Sequence, residues 1–303
     1  MDKKKDYKSK NFANNNQKIT SLKQFFLYSR LEKSFFKRVL LKILISRIFT
    51  LISGIYLNSF FSKIHIKKTI KSHNINLNLF EKKKFNSYND FFIRKYKKLF
   101  FSKNPDYFIS PGEGEISIYS ISSDSIYTIK DTRYHLSDIL KNDELASSYK
   151  DGNLIILRLK PSDYHRYIFV DDGIIDYNVQ ISGKFHTVNP IAFKYFNVFK
   201  ENNREYSVLK TKNFSEMVQV EIGALMVGKI NNHPIINFSK GQEKGFFSFG
   251  GSTILLLVKK NIVSFEREIY NNTLKNIETK VNIGQKIGKK IFYKSSRKNN
   301  KYE

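Results

Sequence analysis

Apolar and polar positions change rhythm along this chain. Phe36, Val39, Leu40 and Ile43 fall at i, i+3, i+4 and i+7, with Ser34, Lys37, Arg38 and Lys42 on the opposite side. That spacing puts an apolar stripe on one side of a helix. The stripe blurs through residues 48–61, and the longest uncharged run, 48–62, is 15 residues. A spanning helix needs about 20, and Lys42, Arg47 and Lys63 bracket this run closely. The pattern predicts helices lying in a membrane interface, apolar sides among acyl chains and Lys/Arg at the headgroups. The competing expectation is ordinary helices packed on a core with a solvated basic side.

From about residue 106 the rhythm shortens to β-rich runs separated by Gly, Pro, Asn and Asp. Expected strands are 116–120, 126–130, 154–160, 174–179, 218–222, 225–230, 235–238, 253–258 and 262–265. Helical signals are limited to 136–148 and 190–196. No repeat period and no Walker or dinucleotide glycine pattern is visible. The expected fold is α+β. A mostly antiparallel β catalytic domain over 101–303 follows a helical, basic, membrane-associating region over 21–100. Residues 1–20 are polar, Lys/Asn-rich and without apolar period, so a disordered basic tail is expected. They do not read as a signal peptide, because no apolar stretch with a small-residue cleavage site follows the charges.

Charge sharpens this division. The 303 residues hold 53 Lys+Arg against 27 Asp+Glu, a net of +26. Residues 1–100 carry +19, residues 101–251 carry −1, and residues 252–303 carry +8. A nearly neutral middle behind basic segments suits docking on an anionic surface, either an acidic membrane or nucleic acid. The absence of Cys excludes disulfides, thiolate metal sites and a cysteine nucleophile. The six His residues show no ligand spacing, so no metal is indicated.

Five clusters have chemical potential. Phe249-Gly250-Gly251-Ser252-Thr253 runs into the apolar stretch 254–258. It is either a Gly-Gly turn before a buried strand or a site where the Ser252 hydroxyl attacks the exposed Gly251 carbonyl. Asp163-Tyr164-His165-Arg166 follows an apolar strand; it mounts either an acid/base His165 oriented by Asp163 or an incidental ion pair. Ser110-Pro111-Gly112-Glu113-Gly114-Glu115 holds a carboxylate between glycines, a turn residue or a positioned acid. In Gly183-Lys184-Phe185-His186-Thr187-Val188-Asn189-Pro190, His186 reads as a satisfied structural histidine before a ligand contact. Glu201-Asn202-Asn203-Arg204-Glu205 reads as a solvated loop.

Taken in chain order, these clusters resemble one family, the pyruvoyl-dependent phosphatidylserine decarboxylase proenzymes of the prokaryotic membrane-associated type. Ser87-Tyr88-Asn89-Asp90-Phe91-Phe92-Ile93-Arg94 is similar to the family's S-F-N-D-F-F-x-R, and Ser110-Pro111-Gly112-Glu113-Gly114 to S-P-x-D-G. Asp163-Tyr164-His165-Arg166 matches D-Y-H-R, and His186-Thr187-Val188-Asn189-Pro190 matches H-T-V-N-P. The segment from Val220 to Gly228 and the Gly251-Ser252-Thr253 processing site complete six matches in the family's order.

The resemblance implies a zymogen of phospholipid biosynthesis that cleaves itself between Gly251 and Ser252, leaving a β chain 1–251 and an α chain 252–303. Ser252 would become a covalent pyruvoyl group, form a Schiff base with phosphatidylserine and release carbon dioxide to give phosphatidylethanolamine. By the same resemblance His165 is the acid/base group with Asp163 orienting it, Glu113 takes the place of a charge-relay Asp, and His186 and Asn189 contact the substrate. Implied partners are phosphatidylserine, an anionic membrane surface at the cytoplasmic side and the sister fragment, not nucleic acid; a homodimer stays open. Two departures stand out. Glu113 is one methylene longer than the family's Asp, and Ile168 stands where some members carry a second His. The alternative is an uncleaved, non-enzymatic basic β-domain binding membrane or nucleic acid.

Overall fold

The computed structural model describes residues 27–28, 34–129, 132–189, 192, 196–225, 229–248 and 252–292. The expected tail over 1–20, Gly251 and most of the expected helix over 190–196 lie outside the described residues. The fold is α+β, with the longer helices towards the amino terminus and antiparallel sheets after them.

Serine caps three of the early helices. Ser34 caps α1 (Phe35–Leu44) by accepting from the Lys37 amide, and Ser46 caps α2 (Arg47–Asn58) by accepting from that of Phe49. The two are bent 56° to each other. Helix α3 (Ile64–His73) ends at Asn74 in the left-handed region, φ 52°, and α4 (Tyr88–Phe92) is capped by Ser87. The exposure of α1 and α2 is inverted relative to a core helix. Phe36 and Ile43 of the expected stripe point to solvent, and α2 exposes Ile48, Leu51, Ile52 and Ile55 while burying Thr50 and Ser53. Leu41 and Leu57 supply their inward contacts. No single helix among the described residues is long and apolar enough to cross a membrane, although α1 and α2 together pass that test as a bent pair.

After them run β1 (Tyr107–Ile109), β2 (Gly114–Ser120), the hairpin β3 (Ile126–Ile129) and β4 (Thr132–His135), then α5 (Leu136–Leu140) and α6 (Asp143–Ser147). Lys141, at φ 54°, breaks the expected helix over 136–148 into these two. β5 (Asn153–Leu159), β6 (Arg166–Ile168) and β7 (Gly173–Ile181) precede α7 (Val198–Glu201), β8 (Arg204–Thr211) and β9 (Glu216–Gly223). β10 (Lys229–Asn232), β11 (Asn237–Phe238), β12 (Glu243–Ser248), β13 (Ser252–Val258) and β14 (Val263–Phe265) lead to α8 (Arg267–Leu274), β15 (Thr279–Val281) and β16 (Lys286–Lys290).

The large sheet has the order β11-β7-β8-β9-β13-β5-β2-β15, antiparallel throughout. One core joins it to β6 and β12 and to the β1-β16-β14 sheet, through residues such as Leu157, Tyr167, Phe247, Ile254 and Ile287. The other face of the large sheet packs on α5 and the β3–β4 hairpin through Ile139, Tyr127, Leu255 and Leu257. β13 is therefore buried on both faces, which is why it reads as a continuous apolar run rather than an alternation.

The run 201–205 is not a solvated loop. Asn202 is wholly buried and Arg204, at 2% exposure, donates to the carbonyls of Ile139, Asp138, Lys200 and Asn202. Burial without a carboxylate contact depresses the Arg204 guanidinium to about 10, with Asp138 opposing the shift. These polar residues start β8, a strand the sequence pattern hides.

Candidate active site

Ser252 opens the strand at the middle of the large sheet. It lies opposite Leu159, the last residue of β5, and Gly223, the last residue of β9. Its side chain follows the alternation of Ile254 and Leu256, so it faces the core shared with β6 and β12. Gly114, at the start of β2 on the same sheet edge, cannot carry a Cβ, which would sit 2.5 Å from the Arg158 carbonyl. Ser252 is fully buried and its Oγ has no hydrogen-bond partner among the described residues. An unmade hydrogen bond on a buried hydroxyl costs about 1–3 kcal/mol. Native folds keep few such groups, and a nucleophile held ready is one physical reason to keep one. Gly251, the residue before it, is outside the described residues.

His165 stands just before β6, in the segment after the turn that closes β5, and its own carbonyl accepts the Phe247 amide of β12. The ring is fully buried, with the Phe92 ring 3.8 Å away centroid to centroid. Its Nδ1 is 2.9 Å from the Asp163 carbonyl oxygen. A carbonyl only accepts, so Nδ1 carries the proton and Nε2 keeps the lone pair, the form a general base needs. The atom that orients the imidazole is thus the main-chain oxygen of Asp163, not its carboxylate. Arg94 Nη2 donates to the same carbonyl at 3.1 Å and to that of Ser162 at 2.8 Å. The sequence segment ending in Arg94 thereby acquires a purpose that its residues alone do not reveal: Phe92 packs the ring and Arg94 ties down the loop.

The Asp163 carboxylate is held elsewhere. Oδ2 accepts the Lys160 amide at 2.8 Å and Oδ1 takes Lys280 Nζ at 2.6 Å. Glu113 accepts the Tyr96 hydroxyl at 2.9 Å and lies 3.5 Å from the same Lys280 ammonium. Burial, then the Glu113 charge, pushes the Tyr96 phenol well above its ordinary range, so Tyr96 stays a donor. Both carboxylates line a polar cleft of about 380 Å³ with Arg94, Lys160 and Lys280. Ile168 is packed in the core, its amide donating to the Pro111 carbonyl, which ties the Glu113 segment to β6. His233 Nε2 lies 2.7 Å from Glu243, which also accepts from Arg166.

His186 reaches the same sheet edge through one side chain. Asn202 Nδ2 donates to the carbonyls of His186 and Gly223, both at 2.8 Å, and Gly223 is the strand partner of Ser252. The His186 ring is buried, stacked on Phe196 at 4.2 Å, with Glu201 3.5 Å from Nε2. Asn189 is half-buried and its amide donates to Thr187 Oγ1. Burial depresses the His186 imidazole to about 4, with Glu201 opposing and Lys184 assisting. A histidine lowered in the folded state binds its proton more readily when unfolded, so stability is full above the ordinary histidine range and falls below it. Between about pH 7 and pH 5 this one group removes about 2 kcal/mol of stability. Urea unfolding at the two pH values measures the loss, and His186→Phe, which keeps the stack, should show a shallower pH dependence.

A larger cavity of about 860 Å³ lies between α2 and this sheet edge, lined by Arg47, Leu51 and Ile55 on one side and Gly183, Asn203 and Ser248 on the other. Gly223 donates its amide to the Asn203 carbonyl, which joins the cavity wall to the strand beside Ser252. Behind Glu205, another wall residue, lies a buried pair that sequence patterning misses: Lys244 Nζ bonds both Glu221 oxygens at 2.9 and 3.0 Å. Burial raises the Glu221 carboxyl and the Lys244 charge counters it.

Comparison with known proteins places this chain in a class, the decarboxylases. Residues 88–289 match the family model described as phosphatidylserine decarboxylase. Phosphatidylserine decarboxylase proenzyme 2 of Clostridium acetobutylicum is 45% identical over 254 residues, covering 83% of this chain and 87% of that protein. The phosphatidylserine decarboxylase proenzyme of Clostridium tetani is 41% identical over 258 residues, 82% of this chain and 86% of its own length. The chain belongs to the phosphatidylserine decarboxylase family.

Proposed function

We propose that this chain is a self-processing proenzyme that decarboxylates phosphatidylserine to phosphatidylethanolamine on a membrane surface. The observation that carries the reading is Ser252 Oγ, buried and without a partner among the described residues at the head of the central strand. A serine in that state, after two glycines, fits the precursor of a pyruvoyl group. Its Oγ attacks the Gly251 carbonyl carbon while the peptide C–N bond breaks, the nitrogen takes a proton, and an ester replaces the amide. Removal of the Ser252 α-proton then expels the Gly251 carboxylate, and water replaces the α-nitrogen as ammonia. The products are residues 1–251 and 252–303. A pyruvoyl ketone supplies an electrophile for the lipid amine and an electron sink when carbon dioxide leaves. His165, with its lone pair on Nε2, moves the proton in these steps. Asn202 holds His186 beside the reacting edge, and His186 and Asn189 contact the headgroup.

The exposed apolar residues of α1 and α2 dock on the bilayer, with Lys37, Arg38, Lys42 and Arg47 at anionic headgroups on the cytoplasmic side. An exposed apolar patch of this kind is otherwise a liability in water. In this reading residues 21–100 form the docking region and 101–303 the catalytic domain, and the cavity under α2 receives the lipid. Carbon dioxide release from phosphatidylserine vesicles, set against free serine, tests it; turnover of free serine alone refutes the lipid assignment. Phe36→Glu combined with Ile52→Glu should weaken vesicle cosedimentation about tenfold or more, since each side chain loses about 1.5–3 kcal/mol of burial. Self-cleavage should stay complete.

A further inference from the structure

Lys280 lies in β15, on the segment that follows Ser252, yet its ammonium sits among carboxylates from the segment before it. Nζ is 2.6 Å from Asp163 Oδ1 and 3.5 Å from Glu113 Oε1. In the sheet Lys280 pairs with Glu115 of β2, and Glu115 is itself held by Lys160 at 2.5 Å. The lysine side chain is half-exposed, whereas that of Asp163 is 6% exposed. A cation at the rim therefore reaches inward to a carboxylate that is nearly out of solvent. This differs from an exposed surface pair, whose contribution is small.

Asp163 is pinned on every polar atom of its carboxylate and carbonyl. Lys280 takes Oδ1, the Lys160 amide takes Oδ2, and Arg94 takes the main-chain oxygen. That oxygen is also the anchor of His165 Nδ1. Release of Oδ1 leaves the Asp163 side chain held by the Lys160 amide alone and loosens the peptide plane that sets the imidazole. The groups around Lys280 are the carboxylates of Asp163, Glu113 and Glu115, the cations of Lys160 and Arg94, and the Tyr96 hydroxyl on Glu113. The Arg158–Glu278 pair flanks them, Arg158 on β5 and Glu278 just before β15. Three carboxylates thus face three cations, Lys280 included, and its loss leaves the cluster one charge negative. Burial lowers the Lys280 amine, but Asp163, then Glu113 and Glu115, outweigh it and raise it, so the ammonium persists across the physiological range.

We propose that Lys280 is a positioning residue for His165: it clamps Asp163 and Glu113 together and so fixes the carbonyl that anchors the imidazole. The clamp crosses the Gly251–Ser252 bond, so the small fragment contributes to the acid–base machinery of the large one. This inference rests on the reading of His165 as the proton-moving group.

The test uses the full chain on phosphatidylserine vesicles, with Lys280→Met, Lys280→Arg and His165→Asn compared after processing is followed by electrophoresis. In Lys280→Met, kcat should fall about tenfold with KM within about twofold, as for loss of an outer positioning contact. The acid limb of its pH–rate profile should rise by about one unit, because uncompensated carboxylates favour the imidazolium. Lys280→Arg should restore both. Fully processed Lys280→Met with wild-type kcat and an unmoved limb overturns the inference. So does equal impairment of both lysine variants with an unmoved limb, which marks a purely structural contact. If His165→Asn is inactive while Lys280→Met is unchanged, this inference alone fails. If His165→Asn remains active, the His165 reading fails and takes this one with it.

Discussion

Ser252→Ala leaves one uncut chain of 35.7 kDa and no decarboxylation. On the proposed reading the wild-type chain should instead divide on denaturing electrophoresis, releasing residues 252–303, about one sixth of its length. The effect on activity should be total on that reading, because the hydroxyl is lost twice, as nucleophile and as precursor of the ketone. The effect on the fold runs the other way. In the uncut chain Ser252 Oγ makes no hydrogen bond among the described residues, so alanine removes an unsatisfied group and should stabilise the chain by about 1 kcal/mol relative to the uncut proenzyme. A variant that is inactive, uncut and slightly more stable separates a poised nucleophile from a structural serine, whose loss destabilises. Persistence of two bands in Ser252→Ala would place the cut at another bond. Under native conditions the fragments expected from the wild type should stay joined, since β13 pairs along its whole length with both β5 and β9.

His165→Asn should lower decarboxylation by about 10²–10⁴, the usual contribution of a positioned proton carrier, and slow self-cleavage as well. Asparagine keeps a side-chain donor for the Asp163 carbonyl but has no lone pair where Nε2 stands. Thermal unfolding of this variant should stay near wild type. His165→Ala should add a stability loss of about 2–4 kcal/mol, because it empties the space against Phe92. Comparing the two separates chemistry from packing. Wild-type turnover by His165→Asn means another group moves the proton.

Much of this site is legible in the residues. The apolar run after Ser252 announces a doubly buried strand, and the ordered motifs around Glu113, His165, His186 and Ser252 select one family. Less legible are the strands that bury charge. β8 begins with Arg204 and Glu205, and β12 carries Lys244; each hides from a rule that places charges outside. Their partners come from elsewhere in the chain: Lys244 meets Glu221 across 23 positions, and Arg204 meets carbonyls of α5. A window of sequence cannot count a buried charge as satisfied when its counterpart lies on another element.

The sequence by itself determined the order of the motifs, the basic apolar prefix and the strand behind Ser252, because these are local patterns of spacing and charge. Only the tertiary structure decided what each polar group touches. It turned the apolar stripe of α1 outward and sent the Asp163 carboxylate to Lys280, 117 positions away, while leaving its carbonyl for His165. It also brought Arg94 to the His165 loop and His186, through Asn202, to the strand beside Ser252. Hydrogen bonds and ion pairs act over about 3 Å whatever the separation along the chain. Composition can therefore name the chemical groups, and folding alone sets which of them meet.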